Sequence, residues 1–103
     1  MEYHLPVYDL KLYITGASPN STRAVINTRA LCEKYLKNRY QLQVIDIYQQ
    51  PIVAQHDQII ALPLLIKAFP LPAKKLIGSM DDTNKVLESL GVIETVNPDD
   101  LVC

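Results

Sequence analysis

Ser18-Pro19-Asn20-Ser21 has the spacing of a dithiol redox centre, Cys-x-x-Cys, with a serine at each thiol position. In a dithiol protein that loop joins a strand to a helix N-terminus, where the helix dipole lowers the pKa of the attacking thiol. The flanking pattern is right for this. Leu10, Leu12 and Ile14 alternate with Asp9, Lys11 and Tyr13 ahead of the loop, while Ser18 as N-cap and Pro19 at the first helical position open a helix behind it. The scaffold is outlined and the reagent is missing, because a serine hydroxyl cannot shuttle electrons. Thiol exchange through this loop is excluded, and N-capping is the simplest use of Ser18.

The remaining reactive side chains are scattered. His4 and His56 lie far apart with no Cys/His cluster beside them, which gives no basis for a metal site. Asp81-Asp82 precedes an apolar helical pattern, and one of the two caps that helix. Cys32 falls inside the first helix and Cys103 ends the sequence, so both are read as free thiols rather than a disulfide framework. No catalytic residue, metal or cofactor is predicted.

The elements that carry these residues follow from periodicity. A helix is expected from about Pro19 to Lys37, with Val25, Thr28, Cys32 and Tyr35 at helical spacing. Leu42, Val44, Ile45 and Ile47 form a β-branched run after Asn38-Arg39, completing a βαβ unit. Pro51 opens a shorter helix carrying Ile52, Val53, Ile59 and Ile60. From Ala61 to Phe69 the chain is apolar nearly throughout, and periodicity cannot separate a buried strand from a buried helix. Read as strands, Leu64–Phe69 and Lys74–Ile77 make an antiparallel hairpin turned by Pro70-Leu71-Pro72 and ended by Gly78. A last helix follows through Thr83–Leu90, with Val86, Leu87 and Leu90 on one face and Gly91 as its stop. The order is βαβαββα, an α/β thioredoxin-like fold in one domain over residues 1–103, with a loosely held tail from 92 to 103.

Composition narrows the function. Ten basic and eleven acidic side chains give a net charge of −1, which lacks the electrostatic footprint of a nucleic-acid or anionic-membrane binder. No apolar run approaches the ~20 residues needed to cross a bilayer, and the N-terminus lacks a basic region followed by an apolar core. A cytoplasmic protein is expected. A glutathione-transferase-like use of Ser18, with Ala61-Leu62-Pro63 as the proline turn, is an alternative. Against it, Gly78 precedes Ser79 where that chemistry needs an acidic residue, and no helical second domain follows.

Several blocks together resemble the KaiB family of bacterial clock proteins. They are Leu10-Lys11-Leu12-Tyr13-Ile14-Thr15-Gly16 with Ser18-Pro19-Asn20-Ser21, Val44-Ile45-Asp46-Ile47, Asp57–Lys67 with Ala61-Leu62-Pro63, Pro70-Leu71-Pro72 before Lys74-Lys75-Leu76-Ile77-Gly78, and Asn84-Lys85-Val86-Leu87. The resemblance implies a non-enzymatic binding protein with two folds: a tetrameric ground state, and a monomeric thioredoxin-like state that docks on the ring of the KaiC ATPase. It also implies displacement of a sensor histidine kinase that has a KaiB-like domain, and recruitment of the activator KaiA. By position it assigns Tyr8, Lys11, Arg23, Lys67 and Lys74 to the partner interface or the fold state. Pro63, Pro70 and Pro72 are tied to the alternative backbone of the second half, with Gly78, Ser89 and Gly91 among the fold-state positions.

Departures from the family qualify this. Lys74 stands where arginine is usual, which weakens any bidentate contact there. Leu71 interrupts the usual triple proline, and Gln41 and Gln43 replace a small residue and a lysine on the edge strand associated with KaiA. The KaiA role is the least supported, and a simpler timer or stress adaptation, as in bacteria without KaiA, is an open output. Lys67, Lys74 and Lys75 are expected to form a basic patch beside the proline turn. If Gly91 belongs to the last helix, alanine there favours the thioredoxin-like form.

Overall fold

The computed structural model describes residues 7–52 and 62–92. Strand β1 (Tyr8–Ile14) lies inside a four-stranded sheet of order β2-β1-β3-β4. It runs parallel to β2 (Tyr40–Asp46), in register from Tyr8 opposite Tyr40 to Ile14 opposite Asp46. On its other side it is antiparallel to β3 (Leu64–Phe69), which pairs antiparallel with β4 (Lys74–Ile77). The hairpin falls where the sequence places it, and the peptides preceding Pro63, Pro70 and Pro72 are cis. A bulge interrupts the β1–β3 ladder: Leu10 faces Lys67 and Asp9 faces Phe69, so Ala68 has no opposite residue.

Helices α1 (Pro19–Tyr35) and α2 (Thr83–Leu90) pack on one face of this sheet. Leu10 and Leu12 of β1, Leu65 of β3 and Leu76 of β4 meet Ala24, Leu31 and Cys32 of α1 and Val86, Leu87 and Leu90 of α2. Each fully buried leucine contributes roughly 1.5–3 kcal/mol. The inner stripe of α1 is Ser21, Ala24, Thr28, Leu31 and Cys32. Val25 and Tyr35, predicted for that stripe, lie at its margin and are only partly buried. The helix stops at Tyr35 rather than Lys37, because Leu36 leaves helical geometry and Asn38, at φ 64°, turns the chain back toward β2. The Leu36 amide still donates to the Cys32 carbonyl at 2.8 Å, and the Arg39 guanidinium donates to the Tyr35 carbonyl at 3.2 Å.

The opposite face of the sheet differs from the expectation of a single apolar side. Tyr13, placed by alternation among the polar positions of β1, is 1% exposed and clusters with Ile45 and Leu64, against which Ile47, Leu62 and Ile66 pack. The interior strand is therefore apolar on both faces near its C-terminal end. Of the helix predicted from Pro51, only the turn at Pro51 and Ile52 is described. Val53, Ile59, Ile60 and Ala61 lie outside the described residues, as do His4, His56 and the tail from 93 to Cys103.

Candidate functional site

The serine loop folds as an N-cap. Ser18 Oγ accepts the Ser21 amide at 3.2 Å and donates to Ser21 Oγ at 2.8 Å. Ser21 Oγ accepts the Thr15 amide at 3.1 Å, and Thr15 Oγ1 lies 3.4 Å from Ser18 Oγ and 3.3 Å from Ser21 Oγ. Among the described residues the partners of these hydroxyls are one another and two backbone amides, so no base is placed to activate either serine. Ser21 is 1% exposed. The loop is held from β2 by Asp46, whose Oδ1 accepts the Gly16 amide at 3.0 Å and the Tyr48 amide at 2.9 Å. Gly16, at φ 54°, lies under the Tyr48 ring, with 3.2 Å from the ring to where a β-carbon would stand. Sequence reasoning missed Asp46, because a carboxylate ending a strand carries no local sign of a loop it meets thirty residues away.

Cys32 offers no substitute for the missing thiols. It is fully buried, and desolvation, with a smaller contribution from the Glu33 carboxylate, pushes its thiol up to about 12.

The five residues assigned to partner contact do not form one patch in this fold. Tyr8 is 5% exposed, part of the helix-side core, and its amide donates to the Arg39 carbonyl at 2.8 Å. Lys11 is half-buried on the face that carries Tyr13, in a row with Gln43 of β2, Ile66 of β3 and Lys75 of β4. Arg23 is exposed on α1, 3.9 Å from the Asp81 carboxylate. Lys74 is exposed on β4. Lys67 lies directly opposite Lys74, yet it is 4% exposed and runs beneath α2, where its ammonium donates to the Leu90 carbonyl at 3.2 Å. Burial, and then the Lys74 charge, hold its pKa below the usual lysine range. The expected Lys67/Lys74/Lys75 patch therefore lacks Lys67 in this form.

The connection from β4 to α2 gathers polar groups that the sequence did not associate. Asn27 of α1 donates to the Ser79 carbonyl at 2.9 Å and to Asp81 Oδ1 at 2.8 Å, and the Ser79 hydroxyl donates to Asp81 Oδ2. The Ser79 hydrogen bond, with smaller help from Asn27 and Arg23, holds the Asp81 carboxyl below its ordinary value. Asp82 is the N-cap of α2, accepting the Lys85 amide at 3.1 Å. Beside this connection, a cavity of about 190 Å³ is lined by Leu31, Tyr35, Met80 and Asp81 among others. It is smaller than the ~300 Å³ at which cofactor and drug-sized sites begin.

At the other end of α2, Gly91 is a cap and not a helical residue. It sits at φ 73°, and its amide donates to the Glu88 carbonyl at 3.1 Å. This reverses the sign expected for Gly91→Ala. A β-carbon in the left-handed region costs about 1 kcal/mol, while its 3.7 Å approach to the Lys67 ammonium is an ordinary contact that adds no clash. Gly91→Ala should lower the urea midpoint of this form. A raised midpoint would show that Gly91 is helical after all.

No helix among the described residues is long and apolar enough to cross a membrane, and no cluster of three metal-ligating side chains occurs among them. Comparison with known structures places the fold. The chain is similar to the N-terminal domain of Synechococcus elongatus SasA, with a TM-score of 0.68 at 21% identity over 94% of this chain and 95% of that one. It is also similar to chloroplastic thioredoxin z, with a TM-score of 0.68 at 16% identity over 82% and 76%. The architecture is thioredoxin-like. Sequence comparison is more specific. The chain is 43% identical over 86 residues to the circadian clock oscillator protein KaiB of Prochlorococcus marinus, covering 84% of this chain and 82% of that protein. It is 40% identical over 94 residues to its counterpart in Trichodesmium erythraeum, covering 90% of each. Residues 11–92 match the KaiB domain; with identity of this order along most of both chains, the protein belongs to the KaiB family.

Proposed function

We propose that this chain is a regulatory binding protein that docks on the ring of a KaiC-type ATPase and works by occupying a surface, not by chemistry. The observation that carries this reading is the pairing of KaiB membership with a thioredoxin-like loop whose hydroxyls bond one another and two backbone amides. A sensor histidine kinase with a KaiB-like domain is a competitor for the same ring. KaiA is the least supported partner, since Gln41 and Gln43 depart from the family on the exposed edge of β2. Self-association to a dimer or tetramer and cytoplasmic residence belong to the same proposal, as does an output in a clock, a simpler timer or stress adaptation.

The proposal includes a second packing of the segment from about Ala61 to Leu90, with Pro63, Pro70, Pro72, Gly78, Ser89 and Gly91 as fold-state positions. Two packings coexist only within a few kcal/mol of each other, and the strand/helix ambiguity of the apolar run meets that condition. Tyr8 and Lys67, buried in this form, then act on the fold state. Lys11, Arg23 and Lys74 are left as the surface contacts.

The direct test is capture of the host's KaiC-type ATPase by this protein in ATP and in ADP. Arg23→Glu and Lys74→Glu should each slow association several-fold with little change in dissociation, and added salt should mimic them. Recovery of no such ATPase under either nucleotide would remove the reading.

A further inference from the structure

Met80 adopts φ 62°, the left-handed region that methionine disfavours and that its neighbours must impose. Asn38 shares that geometry in a tight turn, where asparagine tolerates it. Met80 has two restraints. Its side chain is 7% exposed within the helix-side core, and its chain neighbours on both sides are gripped by a single group, the Asn27 amide. That NH2 donates to the Ser79 carbonyl before Met80 and to the Asp81 carboxylate after it, across 52 and 54 residues of sequence. The next residue, Asp82, caps α2.

We infer that Asn27 is a clamp by which α1 governs α2. While the amide holds both neighbours, Met80 stays left-handed and the chain enters α2 in the direction that seats Val86, Leu87 and Leu90 in the core. Without the amide, Met80 relaxes to negative φ, the entry direction changes, and residues 78–92 detach as a unit from a βαβ half that stays folded. The link to function rests on the two-packing reading above, in which this clamp is the contact between the halves that opens before the second half repacks.

Amide hydrogen exchange on the full chain, without partner, tests this in Asn27→Ala, Asp81→Ala and the double variant. Alanine at position 27 preserves helix propensity, so α1 persists. Amides of Val86–Leu90 should exchange about tenfold faster in each single variant, as expected for loss of one charge-assisted contact. The double variant should be faster than either single but by less than their effects combined. The Asn27–Asp81 hydrogen bond is common to both, while the Ser79 carbonyl contact is lost only at position 27 and the Ser79 hydroxyl and Arg23 contacts only at position 81. Amides of Leu10–Ile14 and Thr28–Cys32 should keep their original rates. Unchanged rates at Val86–Leu90, equal acceleration in β1, or additive effects in the double variant would each overturn the clamp. Since no ATPase takes part, a failed clamp leaves docking standing, and failed docking leaves the clamp standing.

Discussion

Lys67→Glu should cost this fold about 3 kcal/mol, the penalty for setting a buried carboxylate against an acceptor that has lost its donor, offset in part by the Lys74 charge directly opposite and read as a fall in the urea midpoint. The lysine is 4% exposed, and its ammonium meets the Leu90 carbonyl at the C-terminal end of α2. A helix C-terminus carries partial negative charge, so the site favours a cation and repels a carboxylate. Glutamate would face that carbonyl with no donor of its own. Lys67→Met keeps the stem's packing and removes the desolvation cost, so it should stay within about 2 kcal/mol of the original. Lys74→Glu, directly opposite and exposed, should be neutral or stabilise by about 0.2–1 kcal/mol, because it replaces a like-charge cross-strand pair by an opposite one. A Lys67→Glu protein as stable as the original would show that the amine is solvated. The wider consequence concerns binding experiments: Lys67→Glu reads out the fold, whereas Lys11, Arg23 and Lys74 test electrostatic steering.

The second large effect is a gain of activity. A chain carrying Ser18→Cys and Ser21→Cys should reduce insulin with dithiothreitol well above the blank, whereas the original chain should run at the blank rate. The two hydroxyl oxygens already lie 2.8 Å apart at the first turn of α1, the close approach of side-chain ends that a disulfide needs. The position 18 side chain accepts an amide there, which stabilises a thiolate as it does in dithiol enzymes. Oxidation should remove two titratable thiols. Failure of that bridge to form would refute the geometric equivalence of the loops, and acceleration by the original chain that vanishes in Cys32→Ser would reveal a redox centre elsewhere.

What was legible in the sequence is what local pattern dictates. The Leu10/Leu12/Ile14 alternation, the Ser18-Pro19 helix start, the proline-turned hairpin and the acidic cap before Thr83 each depend on neighbours within a few residues, and each falls in place. Residues whose role depends on where a distant element lands were not legible. Lys67 reads as a hairpin cation until register places it beside Leu65 on the helix-covered face and α2 closes over it. Asn27 reads as one more polar position on α1, yet it grips a loop 52 residues downstream. Tyr13 alternates with leucines as a polar-side residue does, and only the apolar company of Ile45 and Leu64 reveals a second buried face. Gly91 allowed both a stop and a helical interior, and its backbone angle decides for the stop.

Cys32 carries one more consequence. Peroxide and alkylating agents attack thiolates at a surface, and this sulfur is neither ionised near neutral pH nor accessible. Over its described residues, a protein with a thioredoxin-like fold has no accessible thiol with which to sense oxidants. A thiol response to oxidants in this chain therefore falls to Cys103, which lies outside those residues, or to another component.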